Sequence, residues 1–150
     1  MTAPDSTPIE ATALAVVDQA FANRIDIRHH RLLADEPVES GGDDVGPTPQ
    51  ELLAASLAAC TSITMQMYAQ RKGWDTGPVE VHCEYEQPEK GAPTNFKLTL
   101  RLPPACTDEQ IERLRHIAAK CPVHRTLAGE VTFDERVELA PGRRPGPPGP

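Results

Sequence analysis

The alternation of apolar and polar residues sorts this chain into short strands around two helical stretches. Thr12 to Asp18 reads as a strand. A second begins near Asn23 and carries Ile25, Ile27, Leu32 and Leu33 among polar neighbours, so the two predict a hairpin that turns near Phe21 to Asn23. Within it His29 and His30 are consecutive strand residues, which places their rings on opposite faces and makes them poor co-ligands. Glu39 to Gly46, with two glycines and two acids in succession, supports neither regular state and predicts a loop. The clearest element follows. Thr48 suits an N-cap, Pro49 the first helical position and Glu51 the positive end of the helix dipole, while Arg71, Lys72 and Gly73 suit the other end. Val79 to Tyr85 and Phe96 to Leu102 alternate as two further strands across the turn-rich stretch from Gln87 to Asn95. A second helix starts at Thr107 or Asp108, with Ile111, Leu114, Ile117 and Ala118 at helical spacing, and ends at Cys121 because Pro122 disfavours a helical residue before it. Glu130 to Leu139 predicts a last strand through Val131, Phe133, Val137 and Leu139. Strands with two inserted helices, rather than a regular βαβ series, define an α+β fold in which an antiparallel sheet accompanies one long helix.

Composition sharpens this picture in two places. Of the 150 residues 39% are apolar but only 4% aromatic, so the core must be built mainly from aliphatic side chains. The first half of the long helix is small or apolar on nearly every face, and one thin sheet covers only one side of it. A second subunit is expected to cover the rest, giving a homodimer. Five of the 16 prolines lie in the last ten residues with Gly and Arg, so the chain divides into a flexible segment 1–9, a domain over 10–140 and a disordered tail over 141–150. A formal charge of −7 offers no extended basic face and argues against nucleic acid as a partner. The N-terminal stretch has no basic region and only the short apolar run Ala13 to Val17, so neither a secretory signal nor a membrane partner is expected. A cytoplasmic location follows, and there Cys60, Cys83, Cys106 and Cys121 are kept reduced.

Two of these thiols stand out. Cys60 lies in mid-helix on a face shared with Leu53, Ser56, Ile63, Thr64 and Met67, and Cys121 lies at a helix end before Pro122, a position that can be both exposed and mobile. A lone helical cysteine is ordinarily a small buried hydrophobe. Two thiols far apart in sequence instead fit a division of labour, in which one attacks and the other resolves. The attacking species is a thiolate, and a mid-helix position gains little from the dipole, so a cation must approach from elsewhere. Arg24, Arg28, Arg31 and Arg125 are the candidates. Cys83 and Cys106 are assigned incidental roles. Cys121-Pro-Val-His124 has ligand-like spacing, but a closed zinc site needs four ligands and no second CxxC is present, so no metal is expected.

Gly46-Pro-Thr-Pro-Gln-Glu-Leu-Leu-Ala-Ala-Ser-Leu-Ala-Ala-Cys60 and its continuation to Trp74 resemble the central helix of OsmC/Ohr proteins. Leu33 to Pro37, Gly41 to Asp43 and Cys121-Pro-Val-His-Arg-Thr-Leu127 are similar to an OsmC-like branch of that superfamily, so that the likeness covers most of residues 30 to 140. The resemblance implies an intertwined homodimer with active sites at its interface, which reduces organic hydroperoxides through a cysteine pair. Cys60 takes the place of the attacking thiol and Cys121 that of the resolving one. The reductant implied is a dithiol, with lipoyl-type dithiols serving in relatives, and no cofactor is needed. The position of a family glutamate ten residues before the attacking cysteine holds Gln50, and the activating arginine is matched by Arg24 only through its place in the first hairpin. The alternatives are a non-catalytic OsmC-like stress protein and a Cys/His metal-binding or ligand-binding module.

Overall fold

The computed structural model of the protein describes residues 7–86 and 89–141. The chain ends expected to be flexible or disordered thus lie in large part outside the described residues, at 1–6 and 142–150. Three short antiparallel strands, β1 (Thr12–Ala15), β2 (Asn23–Ile27) and β3 (His30–Ala34), form one sheet in sequential order. The long helix α1 (Pro49–Arg71) follows, and then a second two-stranded sheet of β4 (Glu80–Glu86) and β5 (Asn95–Arg101). Helices α2 (Asp108–Ala118) and α3 (Pro122–Ala128) complete the regular structure. The α+β class is as expected, but the strands divide between two sheets rather than one.

Helix α1 begins where the sequence requires. Thr48 Oγ1 accepts the Glu51 N–H at 3.1 Å and Glu51 Oε2 accepts the Thr48 N–H at 2.8 Å, a reciprocal cap that satisfies two donors the helix leaves free. Its length and apolarity would also suit a membrane span. Here, however, Leu57, Thr61, Met65 and Ala69, spaced four apart, are buried along one face against the protein's own β4, α2 and α3. Met65 and Leu114 are both 0% exposed and form the centre of the core with Ala69 and Ala118. Strands β4 and β5 close that core because Val81, Cys83 and Tyr85 pair with Leu100, Leu98 and Phe96 on one face, where Tyr85 and Phe96 stack at 4.8 Å. Their other face carries the Glu84–Lys97 ion pair at 3.0 Å and the Glu80–Arg101 pair.

The loop before α1 is organised by one carboxylate. Asp35, 2% exposed, accepts the N–H groups of Glu36, Asp43 and Val45 at 2.8, 3.1 and 3.2 Å, drawing the chain round on itself. Gly42 and Gly46 allow that closure, since a Cβ would stand 1.9 Å from the Glu36 carbonyl oxygen at the first and 2.4 Å from that of Leu33 at the second.

Four expectations need correction. The predicted first hairpin is present as β1 and β2, but the strand expected to run from Asn23 through Leu33 breaks in two: β2 and β3 are joined at Arg28 and His29, where Arg28 turns the chain with a φ of 53°. His29 is therefore a turn residue, and the two imidazoles lie 4.0 Å apart rather than on opposite faces. The second helix ends at Ala118, and Pro122 opens α3 instead of merely closing α2. Residues 130–139 form no strand, because nothing among the described residues pairs with them; Phe133, Val137 and Leu139 are 83, 92 and 88% exposed. Cys121, expected to be exposed and mobile, is 0% exposed.

Candidate functional site

The site is built from α1 and the start of α3. Cys60 is half-buried at the border of the core-facing side of α1, and Thr61, one residue on, points into the core with 0% exposure. Cys121 is the N-cap residue of α3, in extended conformation with a φ of −62° and ψ of 143°. That geometry directs its sulfur toward the first turn, where Sγ accepts the His124 N–H at 3.2 Å. The same sulfur lies 3.6 Å from Thr61 Oγ1. The fold thus delivers Cys121 to the residue adjoining Cys60, across a separation of 60 positions.

Three of the four expected cations are engaged by other groups. Arg24 and Arg31 each donate through Nε to Asp26 at 3.0 Å, and these bonds, that of Arg31 foremost, outweigh the opposing effect of burial and hold the carboxyl below its usual range. Both border a cleft of about 930 Å³ beside Leu14, Leu32, Leu33 and Leu52. Arg28 Nη2 lies 3.2 Å from His30 Nε2 at the hairpin tip. Within the protomer Arg24, Arg28 and Arg31 are therefore engaged by Asp26 and His30. Arg125 lies on α3, one residue beyond the His124 whose N–H meets Cys121. Gln50 borders a different recess with Thr48, Glu51, Ala54, Cys83 and Tyr85. Burial and the neighbouring Glu84 push the Cys83 thiol up, which leaves it in its inert form.

Between these elements runs an apolar groove of about 410 Å³, bounded by Leu53 and Leu57 of α1, Tyr85, Phe96 and Leu98 of the sheet, and His124 and Leu127 of α3. Leu53, Leu57 and Cys60 fall at i, i+4 and i+7 of one helix, so the groove follows the flank of α1 on which Cys60 sits. Sequence reasoning missed this groove because α3 forms one of its walls. It also missed Thr61, although a hydroxyl on the core-facing helical spacing of Leu57 and Met65 was visible. Among the described residues no cluster of three or more His, Cys, Asp or Glu side chains is placed to hold a metal ion.

A capped central helix under an antiparallel hairpin, with one cysteine in mid-helix and a second seated against the neighbouring residue, defines an α+β protein with two cysteines in one region of the fold. Residues 41–136 match the family described as OsmC-like protein, and the chain belongs to it. Solved structures agree in fold. An osmotic stress induced and detoxification response protein from Psychrobacter arcticus 273-4 superposes with a TM-score of 0.69 at 16% identity, over 83% of this chain and 91% of that one. An OsmC-like protein from Mycoplasma pneumoniae gives 0.67 at 19% identity, covering 82 and 89% of the two chains. The organic hydroperoxide resistance protein OhrB of Bacillus subtilis gives 0.58 at 19% identity, covering 82 and 92%. No curated protein matches the sequence.

Proposed function

We propose that the protein is a thiol-dependent reductase of organic hydroperoxides, acting as a homodimer in the reducing cytoplasm, with residues 10–140 as its working domain. The observation that carries this reading is the seating of the Cys121 sulfur at 3.6 Å from Thr61, the residue bonded to Cys60. In the cycle the Cys60 thiolate attacks the distal peroxide oxygen; an S–O bond forms, the O–O bond breaks, and the alkoxide takes a proton to leave as an alcohol. The resulting sulfenic acid meets the Cys121 thiol. An S–S bond forms, the S–O bond breaks and water departs. A dithiol of lipoyl type then reduces the disulfide by two exchange steps. The apolar groove beside α1 suits the hydrocarbon body of an organic hydroperoxide rather than hydrogen peroxide.

Cys60 still needs a positive neighbour. Leu53, Ile63 and Met67, on the outer flank of α1 beside it, remain 37, 54 and 56% exposed. We place the second protomer against that flank, so that Arg24 reaches Cys60 across the interface, with Gln50 near it in the position of the family carboxylate. The exposed alternation of residues 130–139 finds its pairing partner in the same assembly.

Mass spectrometry after one equivalent of cumene hydroperoxide tests the reading. A Cys60–Cys121 linked peptide is expected. Cys60→Ser abolishes hydroperoxide consumption, and Cys121→Ser sends Cys60 on to the sulfinic acid. Undiminished consumption by Cys60→Ser refutes the enzyme and favours the non-catalytic stress protein.

A further inference from the structure

Resting on the assignment of Cys60 as attacking and Cys121 as resolving thiol, we propose that Thr61 is the positioning residue of the resolving sulfur, a hydroxyl that changes hydrogen-bond partner as Cys121 ionises. Thr61 is 0% exposed, and its Oγ1 has two neighbours: the Leu57 carbonyl at 2.8 Å and Cys121 Sγ at 3.6 Å. A hydroxyl carries one proton and two acceptor sites, so it cannot donate to both at once. With Cys121 as a thiol, the S–H donates to Thr61 Oγ1 and the hydroxyl donates to Leu57. When the sulfur loses its proton it becomes an acceptor only, and the hydroxyl turns to it. The Leu57 oxygen tolerates the change because it keeps the i+4 backbone N–H of the helix.

The thiolate of Cys121 is then held between two donors on two elements, the Thr61 hydroxyl of α1 and the His124 N–H of α3. Because the Thr61 backbone is covalently joined to Cys60, the first donor keeps the sulfur beside the atom it must attack. The second keeps it at the N-cap until it moves. Packing alone would be served equally by valine, which has the same shape and needs no partner in an apolar core. What valine lacks is the hydroxyl that meets the sulfur. In the step itself Cys121 S⁻ displaces hydroxide from the Cys60 sulfenic acid, and the proton released by Cys121 joins that hydroxide as water, so no further oxidant enters.

The test follows the full-length protein after one equivalent of cumene hydroperoxide, with timed quenching in dimedone to trap the sulfenic acid and mass spectrometry to count the disulfide. Thr61→Val is expected to form sulfenic acid at the wild-type rate but disulfide about tenfold more slowly, as loss of one hydrogen bond to a charged acceptor implies. The dimedone adduct and the Cys60 sulfinic acid accumulate in proportion. Thr61→Ser restores the disulfide rate, which a purely space-filling role would not do. Should Thr61→Val fail to fold, Thr61→Ala against Thr61→Ser carries the same comparison. Disulfide formation at the wild-type rate without the hydroxyl, or a serine variant as slow as valine, overturns the role of Thr61 while leaving the enzyme intact. Absence of any Cys60–Cys121 disulfide in the wild type overturns both.

Discussion

Truncating Ile63 to alanine tests the proposed assembly. Ile63 lies two residues from Thr61, a rotation of about 200° around the helix, so it points away from the protomer core. It is 54% exposed, and roughly half of its side-chain burial is still to be gained. Full burial of an isoleucine is favourable by about 1.5–3 kcal/mol, so the gain outstanding is ~0.8–1.5 kcal/mol per copy. In a two-fold interface each residue occurs twice, which doubles the effect to ~1.5–3 kcal/mol. The dimer dissociation constant of Ile63→Ala should therefore rise by roughly 10-fold to 150-fold. Ile63→Lys should raise it further, because the ammonium group loses solvation on assembly. Sedimentation velocity over a concentration series reads this directly. Hydroperoxide turnover should fall along the same curve as the dimer, since Cys60 borders the same flank. A wild type that sediments as a monomer at micromolar concentration, or an Ile63→Lys variant that dimerises unchanged, refutes the placement of the second protomer on α1.

Three further outcomes are expected. Burial works against the charge of Asp35, but the N–H groups of Glu36, Val45, Asp43 and Asp44 outweigh it and hold the carboxyl below its ordinary range. The stability it contributes is full above the unfolded value of about 3.9 and is lost as pH falls through the lower folded value; acid titration of Asp35→Asn should lack that component, and an unchanged acid limb would contradict the role. Gly42→Ala brings a Cβ to 1.9 Å from the Glu36 carbonyl oxygen, a backbone atom that cannot swing aside. It should cost at least about 1–3 kcal/mol in urea unfolding and increase proteolysis of the 35–46 loop. Leu114→Ala empties the centre of the core, where the side chain is 0% exposed, and should lower stability by about 2–5 kcal/mol with no change in which sulfurs become linked in the folded fraction.

Helix α1 was legible almost to the residue because its signals are local. A cap, a proline at the first turn and a basic end act within a few positions and agree with one another. The β4–β5 hairpin was legible for the same reason, since alternation alone decides which face is inward. Helix α3 was not. Pro122 ends one helix and begins another, and only the extended conformation of Cys121 decides between these readings. That single ambiguity concealed the burial of Cys121, its bond to His124 and a wall of the apolar groove. Arg28 at a φ of 53° similarly displaced His29 into a turn, since nothing in an Arg-His pair announces a left-handed residue.

Residues 130–139 illustrate a different kind of failure, and it bears on the site. Their alternation is that of a strand, yet a strand exists only when a neighbour satisfies its backbone groups, and the described residues supply none. The same protomer exposes Ile63 and Met67 beside Cys60 and directs Arg24 to Asp26 instead of toward the thiol. The proposed second protomer against α1 would account at once for three unrelated features of the described residues: an unpaired strand pattern, an uncovered apolar flank and arginines engaged by other partners than the thiol. The seating of Cys121 needs no such help: its contacts with Thr61 and with the first turn of α3 lie within a single chain. Dilution should therefore separate the two half-reactions, slowing attack on the hydroperoxide as the dimer dissociates while leaving the unimolecular closure of the disulfide unchanged.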